Sequence, residues 1–139
     1  MSNGASTAGA MSAGVLICDD NDAIRELLRA IVDESPSMRV VGEAVDGNET
    51  ILEAVRLQPN VILLDLAMPN RNGLEALPEL RRLVPNAQVI VFSGFAGAAI
   101  AEQVLALGAV SYLEKGADPE TIVATIEHAL ATAPGVLQA

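Results

Sequence analysis

Aromatic residues are nearly missing from this chain: they make up 2% of its 139 residues, with no tryptophan, one tyrosine and two phenylalanines. Hydrophobic residues still reach 51%, so the core must be built from Ala, Val, Leu and Ile, which suits helices packed on a parallel sheet. Cysteine occurs once, as Cys18. An intramolecular disulfide is therefore excluded, and the position at the end of an apolar run reads as a buried, inert thiol. Positive charge is scarce as well. Seven arginines and one lysine face 18 acids, leaving a net charge of −10. That is too little and too scattered for the basic patch that nucleic acid or an anionic membrane requires. No stretch approaches the ~20 apolar residues of a membrane span. The opening MSNGASTAGAMSAG also lacks the basic start and apolar centre of a signal peptide. Residues 1–13 read as a small, polar, disordered tail in which Met11 is an alternative start, and a cytoplasmic location is expected. The length suits one domain that buries about two-thirds of its unfolded surface.

What the chain does contain is a set of short apolar runs, each ending in a chemically useful residue. Val15–Cys18 runs into Asp19-Asp20, Val61–Leu64 into Asp65, and Val89–Phe92 into Ser93. A weaker run, Ala109–Glu114, precedes Lys115, the single lysine. Continuous apolar runs mark parallel strands buried on both faces. In open α/β sheets, ligands bind beyond the carboxyl ends of such strands.

Helical patterns alternate with these runs. Asn21 or Asp22 caps a helix with Ile24, Leu27, Leu28 and Ile31 at helical spacing. Val40-Val41 marks a second strand, and Asp46-Gly47 breaks before a helix carrying Ile51, Leu52 and Val55. Pro59-Asn60 leads into the third strand. Met68–Gly73 is a loop by its turn formers, before a helix with Leu74, Leu77, Leu80 and Leu83. Pro78 inside that pattern predicts a kink or a late start. Gly94 and Gly97 frame a flexible link to a helix over Ala98–Leu107, which Gly108 ends. Pro119 opens a last helix whose inner face is Ile122, Val123, Ile126 and Leu130. Five strands and five helices result, in a single domain over residues 14–132 with a C-terminal tail at 133–139.

Three carboxylates at one sheet edge suit Mg²⁺, which takes oxygen ligands, retains waters and holds phosphates. Each residue alone has an ordinary reading. Asp19–Asp22 could be a strand exit merging into a helix cap, Lys115 a solvated surface lysine and Ser93 a turn hydroxyl. His128, with no acid or thiol nearby in the motif, reads as a surface helix residue. The joint placement of the others at strand ends favours a magnesium and phosphoryl site.

The pair Asp19-Asp20, the segment Asp65-Leu66-Ala67-Met68-Pro69-Asn70-Arg71-Asn72-Gly73, Ser93, Tyr112 and Lys115 together resemble the response-regulator receiver domain of bacterial two-component signalling, over roughly residues 14 to 132. The resemblance implies a flavodoxin-like, doubly wound α/β fold: a five-stranded parallel sheet of order 2-1-3-4-5 between helix layers. It implies that Asp65 is phosphorylated by a sensor histidine kinase or a histidine phosphotransfer protein. Asp20, Asp65 and the Ala67 carbonyl would ligate Mg²⁺ directly, and Asp19 through water. Lys115 would pair with the phosphoryl oxygens, Ser93 would bond one of them, and Tyr112 would follow Ser93 as the switch. Three departures stand out: Gly116 follows Lys115 where proline is usual, Gly94 replaces alanine, and Ser93 stands where threonine is common. The first puts the family's usual cis peptide in doubt.

The expected function is a single-domain response regulator, a phosphoacceptor switch rather than an enzyme, acting on a downstream protein partner. A phosphorylation-dependent dimer is one readout of such a switch; direct nucleic-acid or membrane binding by this chain is not expected. The alternative is the receiver portion of a longer helix-turn-helix transcriptional regulator. An aspartyl-nucleophile phosphatase is a third reading, disfavoured because Ala67 stands where the second acid of its Asp-x-Asp motif belongs.

Overall fold

The computed structural model of the protein describes residues 12–94 and 97–133. Five strands, β1 (Ala13–Cys18), β2 (Met38–Ala44), β3 (Val61–Leu64), β4 (Gln88–Ser93) and β5 (Ser111–Glu114), alternate with five helices. The helices are α1 (Asp22–Asp33), α2 (Gly47–Leu57), α3 (Gly73–Leu83), α4 (Ala98–Ala106) and α5 (Pro119–Ala131). The sheet is parallel with order β2-β1-β3-β4-β5, as the resemblance implied. The tail over residues 1–13, apart from Ser12 and Ala13, and residues 134–139 lie outside the described residues.

Side chains of a strand alternate between faces, so each buried run feeds two cores. Val15, Ile17, Val61, Leu63, Ile90 and Phe92 pack with Leu28 and Val32 of α1 and Ile122 and Ile126 of α5. Leu16, Cys18, Ile62, Leu64, Val89 and Val91 face Ala54 of α2, Leu77 and Leu80 of α3 and Val104 of α4. The result is a three-layer sandwich in which, among the described residues, Phe92 is the one aromatic side chain in the buried cores.

Several helix faces differ from the sequence pattern. Leu27 of α1, Leu52 and Val55 of α2 and Leu83 of α3 are exposed, while Thr50, Ala54 and Ala129 are buried. Apolar spacing defines a stripe, but only small residues fit where a helix lies closest to the sheet. The late start expected for α3 does not occur. Asn72 and Glu75 form a reciprocal capping box that fixes Gly73 as the first residue, leaving Pro78 inside the helix. Asn21 caps α1 as expected, and Pro119 stands in the first turn of α5; the structure adds Asp46 as the cap of α2 and Asp118 as the cap of α5. Gly108, just past the end of α4, has φ +111°, a conformation that favours glycine.

Candidate functional site

The carboxyl ends of β1 and β3 are adjacent in the sheet, so Asp19-Asp20 and Asp65 are brought side by side although they lie far apart in sequence. One carboxylate oxygen from each of Asp19, Asp20 and Asp65 lies within 4.8 Å of the others. Asp19 and Asp65 are buried and Asp20 is exposed. Lys115, just past β5, reaches across β4 into this group, its Nζ 2.8 Å from Asp19 Oδ2 and 3.2 Å from Asp65 Oδ2.

Burial raises the Asp65 pKa above the ordinary carboxylate range, and the negative charge of Asp19 adds to the effect; Lys115 and the Ala67 N–H oppose it. For Lys115, burial disfavours the ammonium, but Asp19 and Asp65 outweigh it and its pKa is raised. Asp19 divides its two oxygens. Oδ1 accepts the Asn21 N–H at 2.9 Å, while the buried Oδ2 meets the Lys115 ammonium at 2.8 Å. Three carboxylate oxygens this close together, with Asp20 on the exposed side, make a hard-oxygen donor set that fits a small divalent cation such as Mg²⁺.

The loop after Asp65 is pinned at both ends. The Ala67 N–H approaches Asp65 Oδ1 at 3.3 Å, and the Gly73 N–H donates to the Leu66 carbonyl at 3.0 Å. A Cβ on Gly73 would lie 2.1 Å from the Asp65 carbonyl oxygen, so only glycine permits this close return of the chain. Leu66 and Met68 anchor the loop in the core.

Ser93 ends β4 fully buried, and its carbonyl accepts the Lys115 N–H at 2.8 Å. Tyr112 lies beside Val91 in the sheet register and packs half-buried on the α2–α4 side. Gly94 is exposed, and residues 95 and 96, within the flexible link expected between Gly94 and Gly97, lie outside the described residues. No cis peptide occurs among the described residues; the Lys115–Gly116 junction is trans, with Gly116 at φ +105°. Cys18 is buried and its thiol is pushed up to about 12, chiefly by burial. His128 is exposed near the end of α5.

Two contributors had not been singled out from the sequence. Arg25, on α1, donates to the Asp19 carbonyl at 2.7 Å and to Glu43 at 2.9 Å, and also pairs with Asp22. The Asp22–Arg25 spacing of three in the first turn of a helix was the available signal. Asn70 donates to Asp46 across the loop; Asp46 had been read as a chain breaker, and Asn70 as a turn former within the Asp65–Gly73 segment, with no link between them.

The response regulator receiver domain family matches residues 15–127. The chemotaxis protein CheY of Thermotoga maritima is 32% identical over 81% of this chain and 93% of its own length. The transcriptional regulatory protein LiaR of Bacillus subtilis is 36% identical over 83% of this chain. A protein-glutamate methylesterase/protein-glutamine glutaminase of T. maritima is 42% identical over 73%. The chain spans only 54% of LiaR and 30% of the methylesterase. The solved response regulator domain of T. maritima CheB superposes with a TM-score of 0.83 at 35% identity, over 88% of this chain and 99% of that one.

Proposed function

This chain belongs to the response regulator receiver domain family, and we propose from its site that Asp65 accepts a phosphoryl group from a histidine kinase or phosphotransfer protein and so switches a partner-binding face. The observation that carries the reading is the placement of the Asp65 carboxylate, 2% exposed, within 4.8 Å of the Asp19 and Asp20 carboxylates and 3.2 Å from the Lys115 ammonium. Receiver domains bind Mg²⁺ at such an acidic pocket. Here Asp20, Asp65 and the Ala67 carbonyl would hold it, with Asp19 through water. When bound, the ion supplies positive charge for the phosphoryl oxygens.

The remaining chemistry belongs to the chain. An Asp65 oxygen attacks phosphorus, the bond from phosphorus to the donor nitrogen breaks, and an acyl phosphate forms. Lys115, already held over the site, turns from Asp65 toward the phosphoryl oxygens and stabilises the charge that develops there. The Ser93 hydroxyl follows by bonding one of those oxygens, and Tyr112 moves with it; the added charge thus biases a two-state element at the β4–α4 side. Catalysis serves only the chain's own modification, so the protein is a switch rather than an enzyme with an external product. Intact-mass measurement after acetyl phosphate and Mg²⁺ tests the reading: one added phosphoryl in the parent and none in Asp65→Asn. Modification that persists in Asp65→Asn overturns it.

Two outputs suit the same switch. The match along nearly all of CheY supports a receiver that acts directly on a protein partner. The matches to LiaR and to the nitrate/nitrite regulator NarL of Escherichia coli support one that governs a DNA-binding output. Comparing partners captured by the beryllofluoride-activated and unactivated protein distinguishes them.

A further inference from the structure

The site is enclosed by a circuit of hydrogen bonds that crosses three loops. The Asp65 N–H donates to the Cys18 carbonyl at 2.9 Å, and the Asp19 N–H to the Ala44 carbonyl at 3.0 Å. From Ala44 the chain reaches Asp46, whose Oδ1 caps α2 by accepting the Glu49 N–H at 2.7 Å. Its other oxygen, Oδ2, accepts the Asn70 side-chain amide at 2.7 Å. Asn70 sits in the loop that returns through Ala67 to Asp65. One backbone bond reinforces this closure: the Gly47 N–H donates to the Arg71 carbonyl at 2.7 Å. A Cβ on Gly47 would stand 2.2 Å from that same oxygen, so the two loops meet in backbone contact.

Asn70 adopts φ +64°, a left-handed conformation that asparagine tolerates and most residues do not. The residue therefore has two separable jobs: turning the chain, and joining the Asp65 loop to the loop that Asp19 is bonded to. We infer that Asp46 and Asn70 form a positioning clamp, which sets the distance between the Asp19-Asp20 carboxylates and the Asp65–Ala67 segment and thereby the affinity of the site for Mg²⁺. This rests on the proposed function for the identity of the groups that hold the ion. The link lies at the exposed rim, so it adds little to stability; its effect falls on the geometry of the groups behind it.

Glycine also adopts positive φ without strain, so Asn70→Gly keeps the turn and removes only the amide. Its thermal midpoint without metal should stay near the parent's, while Mg²⁺ binding, followed by titration of the amide NMR signals of residues 19, 20 and 65–67, weakens about tenfold. Acetyl phosphate uptake should fall at limiting Mg²⁺ and recover at saturating Mg²⁺. The exchange Asp46→Asn with Asn70→Asp keeps net charge, both side-chain lengths and a good cap on α2, and reverses the donor and acceptor. It should restore parental affinity. An Asn70→Gly protein that binds Mg²⁺ as the parent does overturns the clamp, as does a loss that the exchange fails to restore. A parent that binds Mg²⁺ but takes up no phosphoryl overturns the proposed function and leaves the clamp standing; a parent that binds no Mg²⁺ overturns both.

Discussion

The Lys115 ammonium stands 2.8 Å from the buried Asp19 Oδ2 before any phosphoryl group is present. From the sequence, Lys115 was expected either as a solvated surface lysine or as a partner of the phosphoryl oxygens, neither of which ties it to the resting protein. The geometry reverses that expectation. Truncating Lys115 leaves two buried carboxylates facing each other, and a buried charge that loses its partner costs about 3–5 kcal/mol. With the lysine side chain 23% exposed, roughly 2 kcal/mol is expected. Mg²⁺ should restore much of the loss, because it supplies the missing positive charge. Thermal melts of Lys115→Ala with and without Mg²⁺ decide this; a melt equal to the parent's without metal contradicts it. The Lys115 pKa is raised in the folded state. Its contribution is therefore full below the ordinary lysine value and is lost as pH rises through the folded one. The gap between parent and variant should hold through neutral pH and close in the alkaline range.

Asp65 titrates with the opposite consequence. Burial and Asp19 raise its pKa in the folded protein, so in that window the native state binds more protons than the unfolded one and stability falls as pH rises. At pH 7 without metal, Asp65→Asn should be more stable than the parent by roughly 1 kcal/mol, about 4 °C in Tm. Acidification that protonates Asp65 should erase the advantage. A gain that persists unchanged into acid would assign the effect to something other than the carboxylate charge.

Asp20 is exposed, and its removal takes one negative charge from a crowded group. Asp20→Ala should melt within about 0.5 kcal/mol of the parent in the absence of metal. The parent should gain stability on adding Mg²⁺ through ligand linkage, whereas this variant should gain almost none. Equal gains in both proteins would place the metal elsewhere.

Gly73→Ala would put a methyl group 2.1 Å from the Asp65 carbonyl oxygen. Backbone on both sides must move, at a cost of about 3 kcal/mol, and the Asp65 loop shifts with it. Denaturant unfolding should show the loss, and acetyl phosphate uptake should drop even in the fraction that remains folded. Parental stability would mean that the chain relaxes around the methyl group at little cost.

The parallel sheet was legible because each central strand reads as an unbroken apolar run, a pattern that only a strand buried on both faces requires. Val61–Leu64 and Val89–Phe92 needed no further information. The inner faces of the helices were not legible in the same way. Leu52 and Val55 look like core on spacing but are exposed, while Thr50 and Ala54 are buried. Which part of an apolar stripe meets the sheet depends on how closely the helix approaches it.

By itself the sequence determined that Asp19, Asp20, Asp65, Ser93 and Lys115 would gather at one edge, because strand ends in a parallel sheet share a side. Their pairing was decided by the tertiary structure. Burial of Asp19 and Asp65, the reach of Lys115 across β4, the Arg25 bond to the Asp19 carbonyl and the Asp46–Asn70 link depend on how far apart the loop ends stand. That distance is set by packing against the neighbouring helices and loops, on which local sequence carries no information.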